Sequence, residues 1–495
     1  MNKRSSGILL HISSLPSKYG IGTMGRAAYD FVDLLAETNQ KYWQTLPVGP
    51  TLYGDSPYQS PSAFAGNPYF IDLELLIEDG LISSADCEGM FFGRDEERVD
   101  YGALYRNRNV IFDKAVTDFD SNDRGYISFC ENNFRWLDDY ALFMAMKEEN
   151  GGRPWNTLAE DLKMRDEAAL CAASERLREA VNKHKILQFL FFKQWKSLRA
   201  SAAGKGIKII GDMPIYVAYD SADVWSHPEI FKLNHDLEPD VVAGCPPDGF
   251  SPLGQRWGNP IYEWEGSREG AFSWWTSRIS HSLRIYDVLR IDHFRGFSGY
   301  YEIPANEETA VNGRWCRGPG IKLFEHIKSE IGELPIIAED LGFIDDEVRG
   351  MLRESGFPGM KVLQFAFDSG EDNAYLPHNY TRGCVIYTGT HDNDTLLGWI
   401  SNAPESSIWR ARRYFGLADD SGRDQIADAF IRAAMSGVGD IAIIPMQDIL
   451  GLGSEARMNL PSSVMGNWQF RLSADYADKI DRARLREYIS IYGRN

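Results

Sequence analysis

A short apolar run that breaks off at a carboxylate recurs along this chain, and it restricts the possible folds more than any other feature. Four examples are Ile209-Ile210-Gly211-Asp212, Val288-Leu289-Arg290-Ile291-Asp292, Pro335-Ile336-Ile337-Ala338-Glu339 and Tyr387-Thr388-Gly389-Thr390-His391-Asp392. Strand-like runs fall at 7–12, 42–46, 207–212, 288–292, 335–339, 362–367, 385–388 and 441–445. Segments of helical period lie between them, at 26–37, 273–287, 321–331 and 345–354. Apolar runs alternating with helices predict a parallel sheet with crossover helices. Eight such runs are the number that closes a (β/α)8 TIM barrel in the α/β class.

A barrel of that kind takes about 250 residues, so much of a 495-residue chain must be insertion. The surplus is visible in two places. Residues 72–206 are charged and mostly helical, including 137–147 and 186–201, and are expected to follow strand 2. Residues 219–272 are rich in aromatics, Pro and Gly and are expected to follow strand 3, with an acceptor-side loop at 243–260. Both would stand over the C-terminal mouth, where barrel enzymes keep their chemistry. The expectation is one elaborated catalytic domain over 1–495, with no separate C-terminal β-sandwich.

Charge and cysteine content narrow the partners. Against 52 Lys and Arg stand 71 Asp and Glu, a net charge of −19. That field repels nucleic acid and anionic membrane surfaces. The run Ile8-Leu9-Leu10 is too short for a signal-peptide core, and no stretch is apolar enough to span a bilayer. The six cysteines stand at least 41 positions apart and show no zinc or redox spacing. A reduced, cytoplasmic enzyme acting on a neutral or small ligand is expected.

A carboxylate after a strand often only caps the next helix. Capping explains neither Arg290, two residues before Asp292, nor His391, beside Asp392. Several acids aimed into one mouth repel one another, which raises one pKa and leaves others ionised. Glycoside chemistry needs that division: a protonated acid for the leaving oxygen and an ionised carboxylate facing the anomeric carbon.

At these residues the chain resembles a family. LRIDHFRG, IIAEDLG and GTHDNDT are similar to the strand-4, strand-5 and strand-7 regions of the α-amylase superfamily. SSLPSKYGIG, WQTLPVGPT, DSPYQSPSAFAGNPYFIDL, GDMPIYV, VVAGCPPDGFSPLGQRWGNPIY, YLPHNY and GNWQFRL resemble the 4-α-glucanotransferases (amylomaltases, glycoside hydrolase family 77). The resemblance implies Asp292 as nucleophile, Glu339 as general acid and base, and Asp392 as the group that orients the sugar hydroxyls. It further implies substrate-binding roles for Arg290, His391, Asp212 and the stacking residue Tyr58. Trp257, Phe250, Gln255 and Asp248 would line the acceptor loop, with Tyr53 and Phe365 as further aromatic contacts. A pyranose offers an apolar C–H face to such rings. Many relatives carry an aromatic before the phenylalanine, where this chain has Gly249-Phe250; the difference bears on chain-length preference and large-ring cyclisation.

The implied reaction moves α-1,4-glucan segments from a maltodextrin, or from starch- or glycogen-derived glucan, to glucose, maltose or another glucan. It needs no cofactor. A retaining hydrolase on the same fold shares the three acids, and an inert glucan-binding protein remains the alternative from another class. Two motifs point elsewhere. Gly20-Ile21-Gly22-Thr23-Met24-Gly25 has dinucleotide spacing, but seven residues, Pro16 among them, separate it from the strand-like run ending at Ile12. His391-Asp392-Asp394 and Asp292-His293 suggest metal ligands, but only His11, His293 and His391 lie near strand ends, and no EF-hand-like loop is present.

Overall fold

The computed structural model describes residues 4–52, 54–247, 251–342, 344–463 and 465–495. Twelve strands occur among them: β1 Ser5–Leu9, β2 Tyr42–Gln44, β3 Lys208–Met213, β4 Val241–Cys245, β5 Gln255–Pro260, β6 Val288–Ile291, β7 Gly299–Pro304, β8 Arg314–Arg317, β9 Ile336–Ala338, β10 Gly359–Val362, β11 Cys384–Tyr387 and β12 Ile441–Pro445. Eight form one parallel sheet in the order β10-β11-β12-β1-β2-β3-β6-β9. Its two ends meet where the Ala338 N–H donates to the Pro358 carbonyl at 2.9 Å, so the sheet curls into a (β/α)8 barrel.

All eight expected strands are present, with one displaced. The run expected at 362–367 is strand only over Gly359–Val362; Leu363–Phe365 is a 3-10 turn. Two contacts fix the earlier register: the Ala338–Pro358 hydrogen bond and the Met360 N–H on Asp340 Oδ1 at 2.6 Å. The apolar character of Leu363, Ala366 and Phe367 reflects burial after the strand has ended.

The long excursion between β2 and β3 is helical, and its last helix, Arg178–Gly204, doubles as the barrel's crossover helix. Ile207 closes that helix onto β3 through the Ala202 carbonyl, while the Trp195 indole N–H reaches the Ile285 carbonyl at 3.1 Å. The stretch after β3 differs from the loop its composition suggests. β4 and β5 pair with β7 and β8, from the next excursion, in a four-stranded antiparallel sheet ordered β5-β4-β7-β8. That sheet places β5, and with it Gln255 and Trp257, beside the mouth.

The glycines at 20–25 serve packing. A Cβ on Gly22 would fall 1.9 Å from the Ile12 carbonyl, and one on Gly25 would fall 2.0 Å from Asp72 Oδ2. Among the described residues no group of three His, Cys, Asp or Glu is arranged to hold a metal ion. No described helix is long and apolar enough to cross a membrane.

Candidate active site

Register sets the site. Asp212 of β3 pairs with Arg290 of β6, and Ile291 pairs with Ala338 of β9. The next residue on each of the latter two strands is an acid, and strand-like hydrogen bonds extend to both. Asp292 N–H reaches the Met213 carbonyl at 2.9 Å, and Glu339 N–H the Ile291 carbonyl at 3.0 Å. Asp292 and Glu339 therefore emerge side by side from adjacent strands, whose spacing is about 4.8 Å.

The barrel's uppermost interior layer is polar. Arg290, only 3% exposed, donates from one terminal nitrogen to both oxygens of Asp212 at 2.7 Å and from the other to Asp292 Oδ1 at 2.9 Å. Its Nε points at the Met360 sulfur, 3.3 Å away. The Tyr387 hydroxyl closes the layer on Gln44 at 2.9 Å. Burial pulls the Arg290 pKa down, but Asp212 and then Asp292 outweigh it, so the guanidinium stays charged. Arg290 thus spends one hydrogen bond on Asp292, its neighbour along the strand, and two on Asp212 across the sheet. Asp292 is left with Oδ2 free of any protein hydrogen bond among the described residues.

Glu339 sits in a different electrostatic setting. Its Oε2 accepts the His293 backbone N–H and its Oε1 the Leu341 N–H, each at 2.7 Å. The first contact requires His293 to adopt a left-handed backbone, φ 51° and ψ 47°, unusual for a non-glycine residue. Burial first, and Asp292 second, push the Glu339 carboxyl up to about 8, against Arg290 and the two N–H donors that pull it down. Burial also raises Asp292, with Arg290 opposing and Asp212 and Asp392 adding to the rise. Because Asp292 has the direct guanidinium contact, it ionises first and Glu339 retains the proton.

Asp392 faces this pair from beyond β11. Its Oδ1 accepts the Asn459 amide at 2.6 Å, and its Oδ2 lies 3.4 Å from His391 Nε2. Arg457 braces the same turn, donating to the carbonyls of Asp392 at 2.6 Å and Asn459 at 2.8 Å. Replacing Asn459 with Ala frees the Asp392 carboxylate to rotate. It should lower kcat about 10²-fold with little change in KM, measured by steady-state kinetics on maltotriose; an unchanged kcat would remove Asn459 from the site.

The aromatic residues gather around these acids. Tyr58 donates its hydroxyl to Asp212 Oδ2 at 3.0 Å and stacks on His391, centroids 5.1 Å apart and planes 14° apart. Burial, then Asp212, raises the Tyr58 hydroxyl well above its ordinary value, so it remains a donor. Trp257 meets the ring of His293 edge-on at 4.8 Å and donates its indole N–H to Gln255 Oε1 at 3.1 Å. Phe365 packs against Tyr375 at 5.5 Å, and Tyr375 lies within electrostatic reach of Glu339 and Asp340. Tyr53, Asp248 and Phe250 lie outside the described residues.

Sequence reasoning missed Asn459, Arg457, Met360 and Trp468. Trp468, in a left-handed backbone at φ 63°, packs 5.7 Å from Tyr58 and 6.0 Å from His391. It lies in the segment GNWQFRL, which carried part of the resemblance; Asn459 and Arg457 carry no pattern that marks them.

A family model described as 4-alpha-glucanotransferase matches residues 10–476. The 4-alpha-glucanotransferase of Clostridium butyricum is 49% identical over 488 residues, covering 98% of this chain and 100% of that one. That of Thermus thermophilus is 49% identical over 493 residues, covering 98% and 97%. The structure of the amylomaltase from Streptococcus agalactiae in complex with acarbose matches with a TM-score of 0.95 at 43% identity, covering 100% of both chains. A likeness that spans both barrel and insertions leaves one conclusion: the chain belongs to the 4-alpha-glucanotransferase family, glycoside hydrolase family 77, and is an enzyme of that type.

Proposed function

We propose that this enzyme cleaves an α-1,4 bond of a maltodextrin and transfers the glycosyl part to the 4-hydroxyl of glucose, maltose or another glucan, with retention at the anomeric carbon. The observation that carries the reading is the unequal environment of two neighbouring acids: Asp292 on Arg290, and Glu339 buried on two backbone N–H groups. In the first step Asp292 Oδ2 attacks C1 while Glu339 gives its proton to the glycosidic oxygen. The C1–O bond breaks, and the reducing-end fragment leaves with a free 4-hydroxyl. In the second step the ionised Glu339 takes the proton of the acceptor hydroxyl. That oxygen displaces Asp292 from C1, and both acids return to their starting states. Retention of this kind requires the two carboxyl groups about 5–5.5 Å apart; their emergence from neighbouring strands, whose backbones lie about 4.8 Å apart, supports that reading.

Asp392, held by Asn459 and His391, orients the sugar hydroxyls of the donor residue, and Tyr58 packs on that ring. Trp257 and Gln255 form the acceptor side. Transfer prevails over hydrolysis when the acceptor displaces water from the covered site. In this reading the chain works as one catalytic domain, whose excursions at 72–206 and 219–272 shape the mouth.

The test is the product ladder from maltotriose. A series of longer dextrins plus glucose is expected. Mainly new reducing ends, without longer products, would make the protein a retaining hydrolase, and no turnover at all would leave an inert binder. Proton NMR of the earliest products should show the α-anomer.

A further inference from the structure

One buried acid has no part in the steps above, yet it grips both ends of the turn that carries Asp392. Asp448, only 4% exposed, lies in the short helix Met446–Ile449 that follows β12. β12 pairs with β11, so Asp448 stands beside the segment that leaves β11 for the mouth. Its Oδ2 accepts the Thr388 hydroxyl at 2.6 Å, and its Oδ1 accepts the Leu396 N–H at 2.7 Å. Thr388 is the first residue past β11, and Leu396 opens the helix Leu396–Asn402; both are fully buried. Residues 389–395, with His391 and Asp392 among them, thus form a loop held at both feet by one carboxylate. The loop is stiff within itself. The Thr390 N–H and hydroxyl both meet Asn393 Oδ1 at 2.9 Å, and the Asp392 N–H meets Thr390 Oγ1 at 3.3 Å. A stiff loop moves as a body when its feet shift, and that motion carries the Asp392 carboxylate with it.

Helix capping does not account for Asp448, because the Thr395 hydroxyl already caps that helix by accepting the Gly398 N–H at 3.1 Å. Nor does charge pairing. Burial pushes the Asp448 carboxyl up to about 6 against the pull of Thr388 and Leu396; Asp394 adds to the rise, and no cation among the described residues opposes it. A buried anion without a cation costs free energy, and what it gains here is two acceptor oxygens at a fixed spacing. An amide in its place would turn one acceptor into a donor. We infer that Asp448 is a positioning residue for Asp392: by tying Thr388 to Leu396 it sets where the Asp392 carboxylate meets the donor sugar. The inference rests on the role proposed for Asp392. The excursion that begins at Asp448 completes the grip, since the Asn459 N–H reaches the His391 carbonyl at 3.2 Å and Arg457 the Asp392 carbonyl at 2.6 Å.

Steady-state kinetics on maltotriose test this with two variants of the full-length protein. Thr388→Val keeps the shape of its side chain and removes one bond, whereas Asp448→Ala removes both. Each should lower kcat, Asp448→Ala by about 10²-fold, the cost of an ångström-scale misplacement, with KM changed by less than about 2-fold. Asp448→Asn, which keeps one acceptor, should fall between Asp448→Ala and the parent. Melting temperatures check folding, and Thr388→Val carries the test if Asp448→Ala does not fold. The decisive comparison adds each change to Asp392→Asn, assayed beside the single variants with α-glucosyl fluoride and maltose. There each should cost less than about 2-fold, because the carboxylate it positions is gone, whereas independent effects would multiply. Unchanged kcat in the single variants, a rise in KM alone, or the full loss repeated in Asp392→Asn overturns the inference. Full activity of Asp392→Asn by itself removes the role proposed for Asp392, and the positioning role of Asp448 with it.

Discussion

Replacing Asp292 with Asn should lower kcat on maltotriose by at least about 10⁴-fold, the scale on which enzymes lose turnover when the nucleophile is removed, while maltotriose still binds. Asn keeps the shape of the side chain and can still accept from Arg290, so the polar layer beneath the mouth survives. What is lost is the anion that forms the bond to C1. Asp292→Gly with added azide gives a sharper readout. A small anion entering the vacated space attacks from the same face and should yield the β-glucosyl azide; an α-azide, or undiminished turnover in the Asn variant, would assign the nucleophile elsewhere. The same substitution should stabilise the fold. The folded-state pKa of Asp292 is raised by burial, so its ionisation is harder in the folded protein than in the unfolded chain. Near neutral pH that opposes folding, and the neutral amide removes the opposition. Thermal unfolding at pH 7 should therefore show an Asp292→Asn protein that melts higher than the parent, the usual mark of a site organised for chemistry at the expense of stability.

The parts of this design that could be read from sequence are those in which one chemical pattern serves both fold and function. Barrel strands ending in acids are such a pattern, because the apolar residues fill the core and the next residue reaches the mouth. Asp292 and Glu339 were legible for that reason; Asp392, which follows the end of β11 by several residues, was legible through the segment GTHDNDT. The Arg290–Asp212 bond was not, since it depends on which residue of β3 lies opposite which residue of β6, and that register is a property of the assembled sheet. Asn459 was hidden for a related reason: it comes to Asp392 on an irregular segment 67 positions away. The antiparallel sheet was obscured by its own composition. β8 reads Arg-Trp-Cys-Arg and is mostly exposed, and β4 reads Val-Val-Ala-Gly-Cys, so neither alternates as a half-buried strand should. Their pairing is tertiary, joining two excursions that leave the barrel from different strands.

Glu339→Gln should suppress transfer from natural glucans by about 10²–10⁴-fold, the range general acid catalysis contributes, yet spare the first step with α-glucosyl fluoride. Fluoride leaves without a proton, so the glycosyl ester forms and then accumulates, because no base remains to activate the acceptor. Trapping that ester by mass spectrometry of the denatured protein gives a positive signal; an equal loss on both donors would deny Glu339 the acid role. The pH profile follows from the same environment. Glu339 must be protonated to begin the cycle, and with its pKa raised to about 8 it remains so through neutrality. The alkaline limb of kcat/KM should therefore reflect Glu339, and the acid limb Asp292. The sign for stability is fixed too. A carboxyl with a raised folded-state pKa binds its proton more tightly in the native state. Its contribution is present in full below the unfolded pKa, declines as pH rises, and is lost above about 8. Denaturant midpoints measured at pH 6 and pH 9 should fall for the parent and fall less for Glu339→Gln. Asp292 is the second cause of the raised value, so in Asp292→Asn the titration of Glu339 should move to lower pH. A midpoint that stays in place would mean that burial alone sets it and that the two acids do not share a field.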